Sequence, residues 1–144
     1  RYHQGNDTFA VFRRSATAPN IMTQDVTGLI PGRLYSLKLY TADYGDLQDA
    51  RSEREIHGLQ AALEGVDALS GPHDRYQQAL PTREDLLGFS RDKPLWLNLH
   101  WQIFRARSRT AVLRISDWKD GRPNGPAEQQ TLLNFVELKP YTQR

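Results

Sequence analysis

Aromatic and amide side chains alternate along two segments of the chain, and these residues are the best suited to binding chemistry. Along residues 95–105, strand alternation groups rings, amides and an imidazole on one face, namely Trp96, Asn98, His100, Gln102 and Phe104. Along residues 33–40, a second alternating run groups Ser36, Lys38 and Tyr40. Sugars have C–H faces that pack on rings and hydroxyls that need fixed donors and acceptors, so such a surface predicts a carbohydrate site.

The predicted binding set adds two residues from farther along the chain. Arg114 belongs to the next alternating run, residues 110–116, and Trp118 follows the end of that run. If these strands share one outward surface, the ligand-binding residues are Tyr40, Trp96, Asn98, His100, Gln102, Arg114 and Trp118. Trp101 lies on the opposite face and is predicted to be in the core, whereas the pattern leaves open whether Trp96 is exposed or buried.

Two groups of arginines are a second candidate surface. The pair Arg13 and Arg14, and the group Arg105, Arg107 and Arg109, could contact anionic polysaccharide or phosphate through bidentate hydrogen bonds. On an edge hairpin such residues are more often solvated charges that block strand addition, and we prefer that interpretation.

Catalytic and metal-binding patterns are weak. The sequence has no Gly-x-Ser-x-Gly elbow, phosphate loop, His-Glu-x-x-His helix or dinucleotide fingerprint, and its four histidines lack metal-ligand spacing. Asp43, Asp46 and Asp49 could bind calcium, but they do not fit a twelve-residue calcium loop and are interpreted as solvated turn aspartates. A hydrolase using Asp43, Asp117 or Glu137 is the weakest hypothesis, so the chain is predicted not to be an enzyme.

Length and composition limit the function classes further. The 144 residues suffice for one domain, and the sequence predicts that residues 1–144 form a single one. Without cysteine, disulfides, zinc–thiolate sites, Fe–S clusters and thiol nucleophiles are excluded. A net charge of +2 is too small to argue for nucleic acid or a membrane as the partner. Since the chain begins at Arg1 without a methionine, we expect it to be part of a longer protein.

The elements that must position these residues are short strands. Alternating runs occur near residues 8–13, 21–26, 33–40, 76–80, 95–105, 110–116 and 131–138. The short polar turn at residues 107–109 predicts a β-hairpin between the two runs that flank it. Residues 48–69 fit either a helix or a strand, and strand is preferred because both neighbours are β. Together the runs predict an all-β, antiparallel sandwich.

Several of these segments resemble galactose-binding-like jelly-roll domains. The resemblance lies in residues 12–20 and 26–37, with the turn Gly28-Leu29-Ile30-Pro31-Gly32, and in the later runs 96–106, 111–116 and 134–138. It covers most of the chain except residues 48–94. It implies a non-catalytic carbohydrate-binding module, or an accessory domain, of a secreted bacterial polysaccharide-processing enzyme.

The resemblance also carries expectations about place, partners and cofactors. It implies an extracellular or periplasmic location, with a polysaccharide or oligosaccharide and a neighbouring catalytic domain as partners. Many members of the family hold a structural calcium with one acidic residue near the first strand and another on the last. This chain offers Glu137 on the last strand but shows no such acid near the first, and no other cofactor is expected. An alternative is a structural domain of the same fold that binds no sugar, with Tyr40, Trp96 and Trp118 in an interdomain interface.

Overall fold

The computed structural model describes residues 10–69, 75–82 and 88–142, with residues 75–78 and 135 described by their backbone alone. The strands are β1 (Ala10–Arg13), β2 (Ile21–Val26), β3 (Leu34–Asp43), β4 (Gln60–Glu64), β5 (Val66–Ala68), β6 (Arg75–Pro81), β7 (Trp96–Ala106), β8 (Ala111–Ser116), β9 (Trp118–Lys119), β10 (Arg122–Pro123) and β11 (Gln130–Pro140). One short helix, α1 (Tyr44–Asp49), follows β3. Among the described residues, no helix has the length and apolar character needed to cross a membrane.

The strands form two antiparallel sheets and one short hairpin. The larger sheet has the order β1-β11-β3-β7-β5, and β6 pairs with β7 beside β5. The smaller sheet has the order β2-β8-β4, and β9 pairs with β10. The prediction of an all-β protein with antiparallel sheets is therefore confirmed, and the sheets pack as a sandwich around a shared core.

The core consists of alternate side chains from both sheets. Its buried members are Phe12, Leu29, Tyr35, Leu37, Leu39, Leu59, Val66, Phe104, Ala106, Ala111, Leu113, Ile115 and Leu133. The ring of Tyr35 stacks on that of Phe104, with centroids 5.6 Å apart. Each large apolar side chain buried in this way contributes about 1.5–3 kcal/mol to stability.

The predicted hairpin between residues 95–105 and 110–116 is wrong. β7 and β8 belong to different sheets, since β7 pairs with β3, β5 and β6 whereas β8 pairs with β2 and β4. The intervening turn instead carries the chain across the sandwich. Ala106 before it and Ala111 after it are both buried in the core, so burying both strand ends outweighs the local preference for a hairpin.

The orientation expected for β7 is also wrong. In the register of β3 and β7, Leu37 lies opposite Gln102 and Leu39 opposite His100, and directly opposed residues share a face of the sheet. The face with Asn98, His100 and Gln102 therefore points into the sandwich. Trp101 was expected in the core but lies on the outer face, half-buried, with the Lys38 ammonium 4.6 Å from its ring centroid.

The middle of the chain is a short helix, then an irregular segment and then two short strands. α1 ends at Asp49 and is followed by the cap residue Ala50, whose backbone is left-handed at φ 51°. Residues 51–59 are irregular, and β4 and β5 follow, so the strand preference is confirmed for residues 60–64 and 66–68. The run predicted at residues 76–80 is also a strand, as part of β6. The part of the first predicted run that precedes residue 10 lies outside the described residues.

Candidate functional site

The predicted binding residues lie in three separate places. Asn98, His100 and Gln102 are inside the sandwich, at 0%, 9% and 6% exposure. Tyr40 is half-buried on the outer face of the larger sheet, and Trp96 is half-buried at the start of β7, 5.3 Å from the Arg54 guanidinium. Only Arg114 and Trp118 meet on an open surface. The single outward surface that joined all seven residues is thus not formed.

Arg114 and Trp118 line a groove of about 280 Å³ on the outside of the smaller sheet. We call it the outer groove, and its other principal residues are Ile21, Gln60, Glu64 and Asp120. Alternation in β4 and β8 directs Gln60, Glu64 and Arg114 away from the core, which takes the opposite faces of both strands. The groove therefore combines an aromatic ring with donors and acceptors on a rigid sheet.

The indole of Trp118 is fixed in this groove. Its Nε1 donates a hydrogen bond to the Ser15 carbonyl at 2.9 Å, and its backbone N donates to Ser116 Oγ at 3.1 Å. The preceding residue, Asp117, is 1% exposed and accepts hydrogen bonds from the backbone N and the side-chain Nδ2 of Asn20. Asp117, a candidate acid in the hydrolase hypothesis, instead orients the corner that presents Trp118.

The buried polar residues form a hydrogen-bonded chain inside the sandwich. Thr41 Oγ1 lies 3.1 Å from His57 Nδ1 and 2.9 Å from His100 Nε2, so one hydroxyl bridges two imidazoles. A hydroxyl has one proton, so it donates to one ring and accepts from the other. Asn98 places His57, because Asn98 accepts from the His57 backbone N and donates to the Glu55 carbonyl.

Burial controls the protonation of the side chains in this hydrogen-bonded chain. Burial lowers the pKa of His57 to about 4, an effect that nearby Asp43 opposes and Arg14 reinforces. Burial, with a smaller contribution from His57, also lowers the pKa of His100 to about 4. Both rings are therefore neutral at pH 7. Glu55, whose Oε1 lies 3.8 Å from His57 Nε2, has its pKa raised to about 7 by burial and by the charges of Asp43 and Asp46.

Three carboxylates gather beside this chain, at the junction of β3 and α1. Oxygens of Asp43, Asp46 and Glu55 lie within 4.8 Å of one another. Protein donors already bind them: Arg51 Nε donates to Asp46 at 3.0 Å and Gln129 Nε2 donates to Asp43 at 3.1 Å. The amide NH₂ of Gln129 faces these three carboxylates, at a position where a bound cation would need an oxygen ligand. We therefore assign no metal to this group.

The turn aspartates differ from one another in their surroundings. Asp43 caps α1 by accepting from the backbone N of Asp46 at 2.9 Å. Asp46 is 7% exposed, so the interpretation as a solvated turn residue is wrong for it, whereas Asp49 is exposed. Glu137, the acid of the last strand, is exposed and pairs with Lys139 at 3.4 Å.

Arg14 is a structural residue and not a surface contact for anions. It is 0% exposed, and its guanidinium donates to the carbonyls of Asp117, Gly58 and Pro126 and to the side chain of Gln129. It thus joins the loops that support both the outer groove and the buried hydrogen-bonded chain of Thr41, His57 and His100. The adjacent Arg13 is exposed and pairs with Glu128.

A second cavity, of about 290 Å³, lies between the two sheets and is called the inner cleft here. Leu37, Leu39 and Leu59 form its apolar wall, and His100 and Gln102 supply its buried polar groups. Asn124 and the exposed Lys119 lie at its border, and Gln60 borders both the inner cleft and the outer groove.

The important residues that the sequence reasoning missed are Thr41, Glu55, His57 and the structural role of Arg14. The inward position of Thr41 could have been predicted, since it continues the alternation of Leu37 and Leu39 by one more step along β3. Glu55 and His57 belong to the irregular segment 51–59, in which no periodicity indicates the direction of a side chain.

Comparison with known proteins gives no significant match to a family model, a curated protein or a solved structure.

Proposed function

We propose that the chain is a non-catalytic carbohydrate-binding or accessory module of a larger extracellular or periplasmic polysaccharide-processing protein. Its sandwich would be of the jelly-roll, galactose-binding-like type. The single observation that supports this function best is the fixed indole of Trp118 in an open groove beside Arg114, Glu64 and Gln60.

This arrangement suits the two kinds of surface that a sugar ring has. The apolar C–H face of the ring would pack on the indole of Trp118, with Ile21, which is 46% exposed, extending the apolar area. The hydroxyls would bond to the guanidinium of Arg114, the amide of Gln60 and the carboxylate of Glu64. Because the indole is already held by Ser15, binding would cost little side-chain entropy.

The charges of the groove favour an uncharged sugar. Arg114 contributes one positive charge, and Glu64 and Asp120 contribute two negative charges. An anionic polysaccharide would meet carboxylates as well as one guanidinium, whereas a neutral sugar can bond to both. A groove of about 280 Å³ is also small, so each site would bind weakly, with a Kd of about 1 mM for a short oligosaccharide.

Affinity electrophoresis in gels that contain neutral polysaccharides tests the proposal. The wild-type chain should be retarded by at least one of them, and Trp118→Ala should abolish the retardation because it removes the stacking surface. Trp96→Ala is the matched control, since Trp96 lies outside the outer groove, and it should be retarded like the wild type. Retardation that survives in Trp118→Ala would contradict the proposed site.

A structural, interdomain role is the second candidate. It is favoured by the exposed Ile21 beside Trp118, an apolar pair that a neighbouring domain could cover. This role predicts no retardation in any polysaccharide gel. It also predicts that Trp118→Ala weakens docking to the parent protein's catalytic domain.

A further inference from the structure

The side-chain amide of Gln102 borders the inner cleft, and no described protein group binds it. Gln102 is 6% exposed and its register on β7 directs it into the sandwich. In the described part of the chain its side chain makes no hydrogen bond, although it borders a cavity of about 290 Å³. The donors and the acceptor of this amide are therefore open to a molecule in the cleft.

The imidazole next to Gln102 is held in place by the protein itself. His100 Nε2 is 2.9 Å from Thr41 Oγ1, so that nitrogen is occupied and Nδ1 is the one left for a ligand. Burial keeps the ring neutral by lowering its pKa to about 4. A neutral imidazole and a carboxamide are both uncharged hydrogen-bonding groups, and they lie on one face two residues apart on β7.

Three leucines form an apolar wall of the cleft next to these two polar groups. Leu37 and Leu39 lie directly opposite Gln102 and His100 on β3, and Leu59 faces them from the segment that enters β4. All three leucines are at most 3% exposed. The cavity thus has the make-up of a small-molecule site, an apolar wall with a few convergent polar groups.

We infer that the inner cleft is a second ligand site, for a small uncharged molecule that has a hydrogen-bond donor and acceptor side by side on an apolar ring. A carboxamide bonds to such an edge through two parallel hydrogen bonds, because it offers one N–H and one C=O in the same plane. Lactams and pyrimidine bases have this edge. The ring would pack on the leucines, and the His100 imidazole would bond to a further polar atom.

An anion is a poorer occupant of the cleft. The only cation among its described lining residues is Lys119, which is exposed and therefore strongly screened. A carboxylate beside Gln102 would lose its hydration, and none of the described side chains that line the cleft places a buried positive charge there. The inference does not depend on the proposed sugar site, because it rests on Gln102 and His100 and not on Trp118.

Titration with uracil, followed by NMR of the Gln102 side-chain NH₂ and the His100 ring nitrogens, tests the inference. Uracil has the donor–acceptor edge, and 1,3-dimethyluracil has the same ring without N–H donors. We expect saturable shifts of both residues with uracil and binding at least tenfold weaker with 1,3-dimethyluracil. Benzoate, an anion with an apolar ring, should bind at least tenfold more weakly than uracil.

Two variants separate a site from a nonspecific cavity. Gln102→Leu should weaken uracil binding at least tenfold and should fold, since it replaces an unbonded amide with an apolar group. Gln102→Glu retains the size and should also lose uracil. Gln48→Leu, on the exposed end of α1, is the matched control and should bind like the wild type. Absence of saturable shifts, equal binding of 1,3-dimethyluracil, tighter binding of benzoate, or unchanged affinity in Gln102→Leu would each overturn the inference.

Discussion

Lowering the pH from 7 to 5 should destabilise the fold, because two neutral histidines are buried in it. Each has a pKa of about 4 in the folded chain and about 6.5 when unfolded. The unfolded chain therefore binds more protons, and stability falls as the pH drops from about 7 toward 4. At pH 5 each of His57 and His100 costs about 2 kcal/mol of folding free energy, or about 4 kcal/mol together.

Protonation of Glu55 has the opposite effect on the stability of the fold. Its pKa is raised to about 7 when folded, so the folded chain takes up its proton first and gains stability as the pH falls through 7 toward 4.5. The side chain is 38% exposed, and solvent screening keeps this gain smaller than the loss from the histidines. The net effect between pH 7 and 5 is thus a loss of stability.

Urea unfolding at pH 7 and pH 5 measures these contributions. In His100→Gln, which retains a group able to bond to Thr41, the difference between the two pH values should shrink by about 2 kcal/mol. In Glu55→Gln the difference should grow, because the opposing proton uptake is removed. For each protein, the free energy of unfolding at pH 5 is compared with its own value at pH 7, so a general loss of stability in a variant cancels. The histidines other than His57 and His100 contribute equally to this difference in the wild type and the variants.

An unchanged pH dependence in His100→Gln would show that this imidazole does not cause the loss of stability. A His100 ring that titrates near 6.5 by NMR in the folded chain would show the same, since the ring would then be solvated.

Three further substitutions test the buried contacts by urea unfolding. Arg14→Met should cost about 3 kcal/mol or more because buried oxygens lose their donors, whereas Arg13→Met, at an exposed ion pair, should cost less than about 1 kcal/mol; equal losses would contradict the structural role. Gly58→Ala should cost about 3 kcal/mol, since its Cβ would overlap the backbone carbonyl oxygen of Asn124, and a neutral result would show that this close approach does not exist. Thr41→Val should cost about 2 kcal/mol by removing the hydroxyl between the imidazoles, while the exposed Thr23→Val should change little; similar effects would argue against the bridge.

Local patterns in the sequence predict strands well because alternation is a local property. β2 was predicted with its observed bounds, and the inward face of β3 was identified from Tyr35, Leu37 and Leu39. The assignment of strands to sheets is not local, and the predicted hairpin between β7 and β8 failed for that reason. A short polar turn is compatible with a hairpin and also with a crossing between sheets, and burial of Ala106 and Ala111 decides between them.

The inward face of β7 was predicted wrongly because hydrophobicity alone selects the opposite face. One face holds Leu97, Leu99, Trp101 and Ile103, which by hydrophobicity alone should face the core. The other holds Asn98, His100 and Gln102, which become acceptable inside the protein because Thr41 and segment 51–59 supply partners for the first two. Such partners come from distant parts of the chain. The pattern of β7 alone could not indicate them.

The three tryptophans of the chain allow the most direct test of the proposed function. Each indole N–H gives its own NMR signal, and Trp118 is the only one of the three that lines the outer groove. Titration with neutral oligosaccharides should shift the Trp118 signal saturably and leave those of Trp96 and Trp101 in place. A saturable shift of either other tryptophan without Trp118, or no shift with any sugar, would contradict the assignment of the outer groove as a carbohydrate site.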